Sequence, residues 1–181
     1  PEMFPFAHIL KPFQKQLFGK LGGMIGDFGT QKERSVFIND DRNVKAAPVI
    51  CYESIYGEYC TEYVQNGANF IAISTNDAWW GDRPGYRQLL AYARLRSIET
   101  RRSIARSANT GISCFINQRG DIVSPTKYET DDAIAGTINA NSDLTFYVKH
   151  GDYIGRIALW MGLALFVVMY IMAIFFRKKK N

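Results

Sequence analysis

The sequence holds 181 residues, with 22 Lys and Arg against 17 Asp and Glu, a net charge of +5 and 47% hydrophobic content. That length gives one domain a core of its own, and 22% charged residues beside 14% aromatics exclude a disordered polar chain. Cys51, Cys60 and Cys114 are odd in number and form no CxxC pair, which argues against a disulfide scaffold or zinc ribbon.

Residues 1–35 are rich in Gly, Phe and Lys and show poor periodicity. Their glycines (Gly19, Gly22, Gly23, Gly26, Gly29) fit neither GxGxxG nor the P-loop pattern, since Leu21 follows Lys20, so a turning loop is expected. Residues 35–39 read as a strand, 39–43 as a polar turn, and Val44–Ile50 as a short apolar strand entering Cys51. A helix is predicted over 53–65, stopped by Asn66-Gly67, and a buried strand over 69–75. The loop 76–85 (NDAWWGDRPG) precedes an amphipathic helix over 86–102, whose apolar side carries Tyr86, Leu89, Leu90 and Ala93. Arg87, Arg94 and Arg101 recur every seven residues and share a face, by default a solvated one. Strands are predicted at 104–107, 112–117, Ile122–Val123 and 133–138, with a hairpin turn at 118–121. This order defines an α/β layered domain.

From 157 to 176 the chain reads IALWMGLALFVVMYIMAIFF without a charge. A helix of that length spans about 30 Å, the hydrocarbon thickness of a bilayer. The alternative, a buried core helix, normally keeps a polar face over such a length. Arg177, Lys178, Lys179 and Lys180 follow at once, while the other flank offers only Lys149 and Arg156. The basic excess predicts a cytoplasmic C-terminus and places residues 1–150 across the membrane. With those four cations set aside the net charge falls to +1, so no nucleic-acid partner is expected. The chain begins at Pro1 with no visible secretory signal, which leads us to expect the C-terminal fragment of a longer membrane protein. Its divisions are then 1–150, a membrane-entry segment and span over 151–176, and a basic tail over 177–181.

Cys51 lies where a buried strand meets a helix, and a helix N-terminus favours thiolate and offers backbone N–H groups to an oxyanion. Equally, it reads as a small buried hydrophobe. Cys60 and Cys114 fall inside elements and read as core. Glu53 is either a partner of Cys51 or an ordinary carboxylate of a helix's first turn. Trp79 and Trp80 either pack under their loop or meet an apolar substrate or lipid headgroups. His8 and His150 are isolated, and no metal site is expected.

Three stretches become specific together: VICYES, ISTNDAWWGD and ARLRSIETRRSIARSANTGIS, in that order. They resemble the nitrilase superfamily of carbon–nitrogen hydrolases, and more narrowly its membrane branch, the apolipoprotein N-acyltransferases. GDYIGR and the apolar span after it agree with that branch. The opening PEMFPF resembles, more loosely, the family's active-site loop. The resemblance implies an α/β fold, the nitrilase-like αββα sandwich, present here in part and followed by one C-terminal transmembrane helix. It implies a Glu–Lys–Cys triad in which Cys51 is the nucleophile, Glu53 a supporting carboxylate and Glu2 a residue of the active-site loop. Tyr52, Trp79 and Trp80 match substrate-binding positions. The triad's Glu and Lys lie upstream of Pro1 in the family's pattern, so this segment alone is expected to be inactive. No cofactor is implied. The implied partners are a phospholipid acyl donor, a diacylglyceryl-modified lipoprotein acceptor and membrane lipids. The implied location is the bacterial inner membrane, with the catalytic domain periplasmic. A membrane-tethered amidase or nitrilase-type hydrolase, or a non-catalytic relative, is the alternative.

Overall fold

Alternation decides the sheet. In Val44–Ile50 the side chains of Ala47 and Val49 are buried while their neighbours are not, and in Phe70–Asn76 the same holds for Ile71, Ile73 and Thr75. A computed structural model gives the architecture of residue 31 and residues 33–178; at 79, 80 and 175–178 it describes the backbone alone. Among the described residues the six strands are β1 (Phe37–Asn39), β2 (Val44–Ile50), β3 (Phe70–Asn76), β4 (Ile104–Asn109), β5 (Cys114–Ile116) and β6 (Ile122–Val123), ordered in space as in sequence. β2, β3 and β4 run parallel, and the remaining pairs are antiparallel. Pro48 sits within β2, but β1 pairs only as far as Ala46, so the missing N–H opens no gap in the ladder on that side.

The parallel strands need crossovers, supplied by α1 (Gly57–Gln65) and α2 (Gly85–Thr100). Both helices cover one face of the sheet. Cys60, Tyr63, Leu90 and Ala93 pack there against Val49, Ile71, Ile73, Ile104 and Ile116. The predicted apolar stripe of α2 holds: Tyr86, Leu89, Leu90 and Ala93 are all buried. On the opposite face Pro48, Phe70, Ala72, Ala105 and Phe115 remain only partly covered by the described residues. The described chain is thus one helical layer on one sheet, half of the sandwich the resemblance implies.

Three expectations are corrected. The helix predicted from 53 begins at Gly57; Cys51–Ile55 forms a 3-10 turn instead, and Tyr56 between them is extended (φ −86°, ψ 109°). Ser54 helps to break it, because its hydroxyl donates to the Cys51 carbonyl at 2.9 Å and competes with helical bonding. No strand forms over 133–138, since β6 ends after Val123 and offers that segment no ladder. The arginine stripe is not simply solvated: Arg94 Nε donates to the Gly120 carbonyl at 2.7 Å and Arg101 Nη1 to that of Gln118 at 3.1 Å. Those two side chains fasten the β5–β6 hairpin turn to α2.

After the sheet, α3 (Phe146–His150) docks on both outer helices. Val148 is fully buried, Gln65 Nε2 donates to its carbonyl at 2.6 Å, and Thr145 Oγ1 donates to the Glu99 carbonyl at 2.6 Å. Gly151 follows with φ +65° and ψ −154°, a conformation essentially restricted to glycine, so the turn demands that residue. α4 (Tyr153–Lys178) then runs 26 residues. Within Tyr153–Ile174 an 18-residue stretch has a mean hydropathy of 2.5 and none of that stretch is buried, so the helix is long and apolar enough to cross a membrane.

Candidate active site

The C-terminal ends of the three parallel strands carry the residues of interest. Ligand sites in open α/β sheets form at this edge, because the connections diverge there and leave a crevice. Ile50 of β2 pairs with Ser74 of β3, and Asn76 of β3 pairs with Asn109 of β4. One step beyond Ile50, the chain turns at Cys51 with φ +50°. A non-glycine residue in that region costs on the order of 1–3 kcal/mol and persists only where its surroundings over-determine it.

The surroundings do so. Glu53 Oε2 accepts the Ile50 N–H at 2.7 Å, and its backbone carbonyl accepts the Tyr56 N–H at 3.2 Å. Glu53 also bonds the Tyr59 hydroxyl; burial first and this carboxylate second push that phenol far above its ordinary range. The carboxylate therefore folds back on the peptide that enters Cys51. In this geometry Glu53 holds the turn. The argument from an α-helix N-terminus at Cys51 falls, since the α-helix starts at Gly57.

Cys51 is half-buried, whereas Cys60 and Cys114 are fully buried. Burial pushes the Cys60 thiol up to about 12 and raises that of Cys114, with nearby Arg96 and Arg106 opposing only in part. Both remain inert thiols at neutral pH, as expected from their places in the core. Tyr52 is 53% exposed, its ring edge-on to Tyr56 at 6.0 Å. The backbone at Trp79 and Trp80 closes the 3-10 turn Asp77–Trp80, capped by Asn76 Oδ1 on the Ala78 N–H at 3.1 Å. Their side chains, like Glu2 and His8, lie outside the described residues.

The sequence reading missed Asp77 and Arg106. Asp77 Oδ2 and Arg106 Nη2 are 2.8 Å apart with both side chains almost wholly buried. Thr75 Oγ1 donates to Asp77 Oδ1 at 2.9 Å, and Arg106 Nη1 donates to the Ile112 carbonyl. An arginine within a strand at the middle of the sheet was the available signal, since such a charge is buried only when paired. Among the described residues, no group of three or more His, Cys, Asp or Glu side chains is placed to hold a metal ion. Two cavities, of about 240 and 300 Å³, are lined by Phe115 and Asn139 and by Tyr59 and Asp152 among others; Cys51 lines neither.

A strained cysteine at the end of a parallel strand, held by a carboxylate two residues on, is accompanied by a family match. The carbon–nitrogen hydrolase family covers residues 8–143, and the chain belongs to it. Within that family it is similar to apolipoprotein N-acyltransferases. The protein of that description from Chlorobaculum tepidum is 32% identical over 170 residues, 92% of this chain and 32% of its own length. One from Wigglesworthia glossinidia brevipalpis is 32% identical over 156 residues, 83% of this chain and 29% of its own length. The chain thus spans about a third of the curated relatives it matches. A carbon–nitrogen hydrolase from Helicobacter pylori shares the fold, with a TM-score of 0.52 over 58% of this chain and 43% of that one at 9% identity.

Proposed function

We propose that this chain is the C-terminal part of a membrane acyltransferase that N-acylates the diacylglyceryl-cysteine of lipoproteins, with Cys51 as its nucleophile. The observation that carries the reading is the left-handed Cys51 turn at the C-terminal end of β2, held by the Glu53 carboxylate. In the first half-reaction the Cys51 thiolate attacks the ester carbonyl of a phospholipid acyl chain. The C–O bond breaks, the lysophospholipid alkoxide takes a proton as it leaves, and a thioester remains on Cys51. In the second, the α-amine of the modified lipoprotein attacks the thioester, loses a proton and expels the thiolate. Glu53 keeps the turn in place through the Ile50 N–H. Tyr52, Trp79 and Trp80 are assigned to substrate contact, and Glu2 to the active-site loop. The base and the oxyanion cation belong to the upstream Glu and Lys of the family's pattern.

Residues 1–150 form the catalytic part, 151–176 the entry and span, and 177–181 the tail. The full-length protein, incubated with phospholipid and no acceptor, should accumulate an acyl chain on Cys51 that neutral hydroxylamine releases. An adduct on Cys60, or no adduct together with steady hydrolysis of simple amides, would overturn the reading in favour of an amidase.

The basic run from Arg177 to Lys180 supports a reading with the C-terminus in the cytoplasm of a bacterial inner membrane and the domain on the periplasmic side. Protease added to intact spheroplasts should digest the domain and spare a C-terminal tag. Loss of the tag with survival of the domain would reverse the orientation.

A further inference from the structure

We propose that Asp77 and Arg106 are positioning residues for Cys51: their buried pair sets the Asn76–Gly81 turn that forms one wall beside the thiol. The inference rests on the assignment of Cys51 as nucleophile and goes beyond it. The β2–β3 ladder closes with Ile50 opposite Ser74, one residue before Cys51 at the end of β2 and one before Thr75 on β3. Thr75 is the residue whose hydroxyl bonds Asp77 Oδ1 at 2.9 Å. Asp77 opens the 3-10 turn Asp77–Trp80, which ends at Gly81 with φ +54°. Its other oxygen takes Arg106 Nη2 at 2.8 Å, and Arg106 reaches the Ile112 carbonyl with Nη1. One guanidinium therefore ties the loop after β3 to the loop after β4.

Two more contacts close the same joint. Asn109 Nδ2 donates to Asn76 Oδ1 at 3.3 Å, linking the last pair of the β3–β4 ladder. A Cβ built on Gly111 would stand 2.0 Å from Asp77 Oδ2, so the second loop presses directly on the carboxylate. The turn next to the thiol is thus fixed by a fully buried ion pair rather than by surface contacts. Such a pair contributes little net stability, but it specifies one geometry. The planar guanidinium meets two acceptors at once, which a lysine ammonium on a flexible stem does not reproduce.

The test uses the full-length protein in detergent and the variants Asp77→Asn, Arg106→Lys and Thr75→Val. Iodoacetamide labels thiols without any acyl-transfer chemistry, and mass spectrometry locates the label. Releasing the wall should raise the labelling rate of Cys51 about fivefold or more in Asp77→Asn and Arg106→Lys. Thr75→Val, which removes a single bond to Asp77, should give a smaller rise. Cys60 and Cys114 report on the fold and should stay unlabelled throughout. Acylation of Cys51 from phospholipid should change in the opposite sense, slowing about tenfold or more. Unchanged Cys51 labelling in both charge variants overturns the proposal. Labelling of Cys60 or Cys114 together with Cys51 also overturns it, because the pair would then serve only global stability. If the labelling pattern is as expected but wild-type protein takes no acyl group, the positioning role stands and the acyltransferase reading falls.

Discussion

In the full-length protein, Cys51→Ala is expected to abolish transfer from phospholipid to a lipoprotein amine, and Cys51→Ser to slow it about 10³-fold or more. The physical reason is the difference between sulfur and oxygen. An alcohol is scarcely ionised near neutral pH, and an ester formed on serine is a poorer acyl donor to an amine than a thioester. The strained turn should accept serine with little change, since the φ of +50° is held by Glu53 and Ser54 rather than by the thiol. Cys60→Ala and Cys114→Ala should leave transfer within about twofold and act only on stability, because both thiols are fully buried in the core. Transfer followed by mass spectrometry of the lipoprotein checks all four variants. Normal turnover by Cys51→Ala would remove the covalent mechanism.

Arg102→Met is expected to cost about 3–5 kcal/mol, the largest stability loss of any single side-chain truncation outside the Cys51 edge. Arg102 is 1% exposed and is the largest of the fully buried side chains. Its Nε donates to the Ala68 carbonyl at 2.8 Å, and its Nη1 donates to Thr100 at 3.1 Å and Asp143 at 2.9 Å. It therefore joins the β3 entry, the end of α2 and the segment leading to α3. Methionine fills much of the volume but leaves those carbonyls without their charged donor. Arg102→Lys should recover only part of the loss, because one ammonium cannot span the same fork. Thermal unfolding in detergent measures the effect, expected as a fall of roughly 6–20 °C for a domain of this size. A fall of under about 2 °C would mean that solvent reaches those carbonyls once the guanidinium is gone.

Patterns carried by periodicity were readable without coordinates. β2 begins and ends at the predicted residues, and α2 buries the predicted side, because both follow from which positions are apolar. The long C-terminal helix was equally plain from its uncharged run. The turn at Cys51 was not. Its break from α1 depends on Ser54 bonding backward and on Glu53 bonding the peptide before the cysteine, and neither bond leaves a periodic trace. The residues 133–138 have strand-like composition, but strand formation needs a partner edge, and β6 is too short to supply one. At the site, Cys51 and Glu53 were visible as a motif. The Asp77–Arg106 pair was not, because its partners are 29 residues apart and meet only through the β3–β4 register.

The joint between α3 and α4 gives the molecule a lever. α3 is bolted to α1 and α2, and only Gly151 and Asp152 separate it from the long helix, so little slack remains between them. A helix whose apolar run exceeds the thickness of its bilayer tilts, kinks or thickens the lipid around it, and transmembrane helices tilt by about 20° on average. With so little slack, the direction of α4 and that of the α1–α2 layer are linked through the backbone at Gly151 and Asp152.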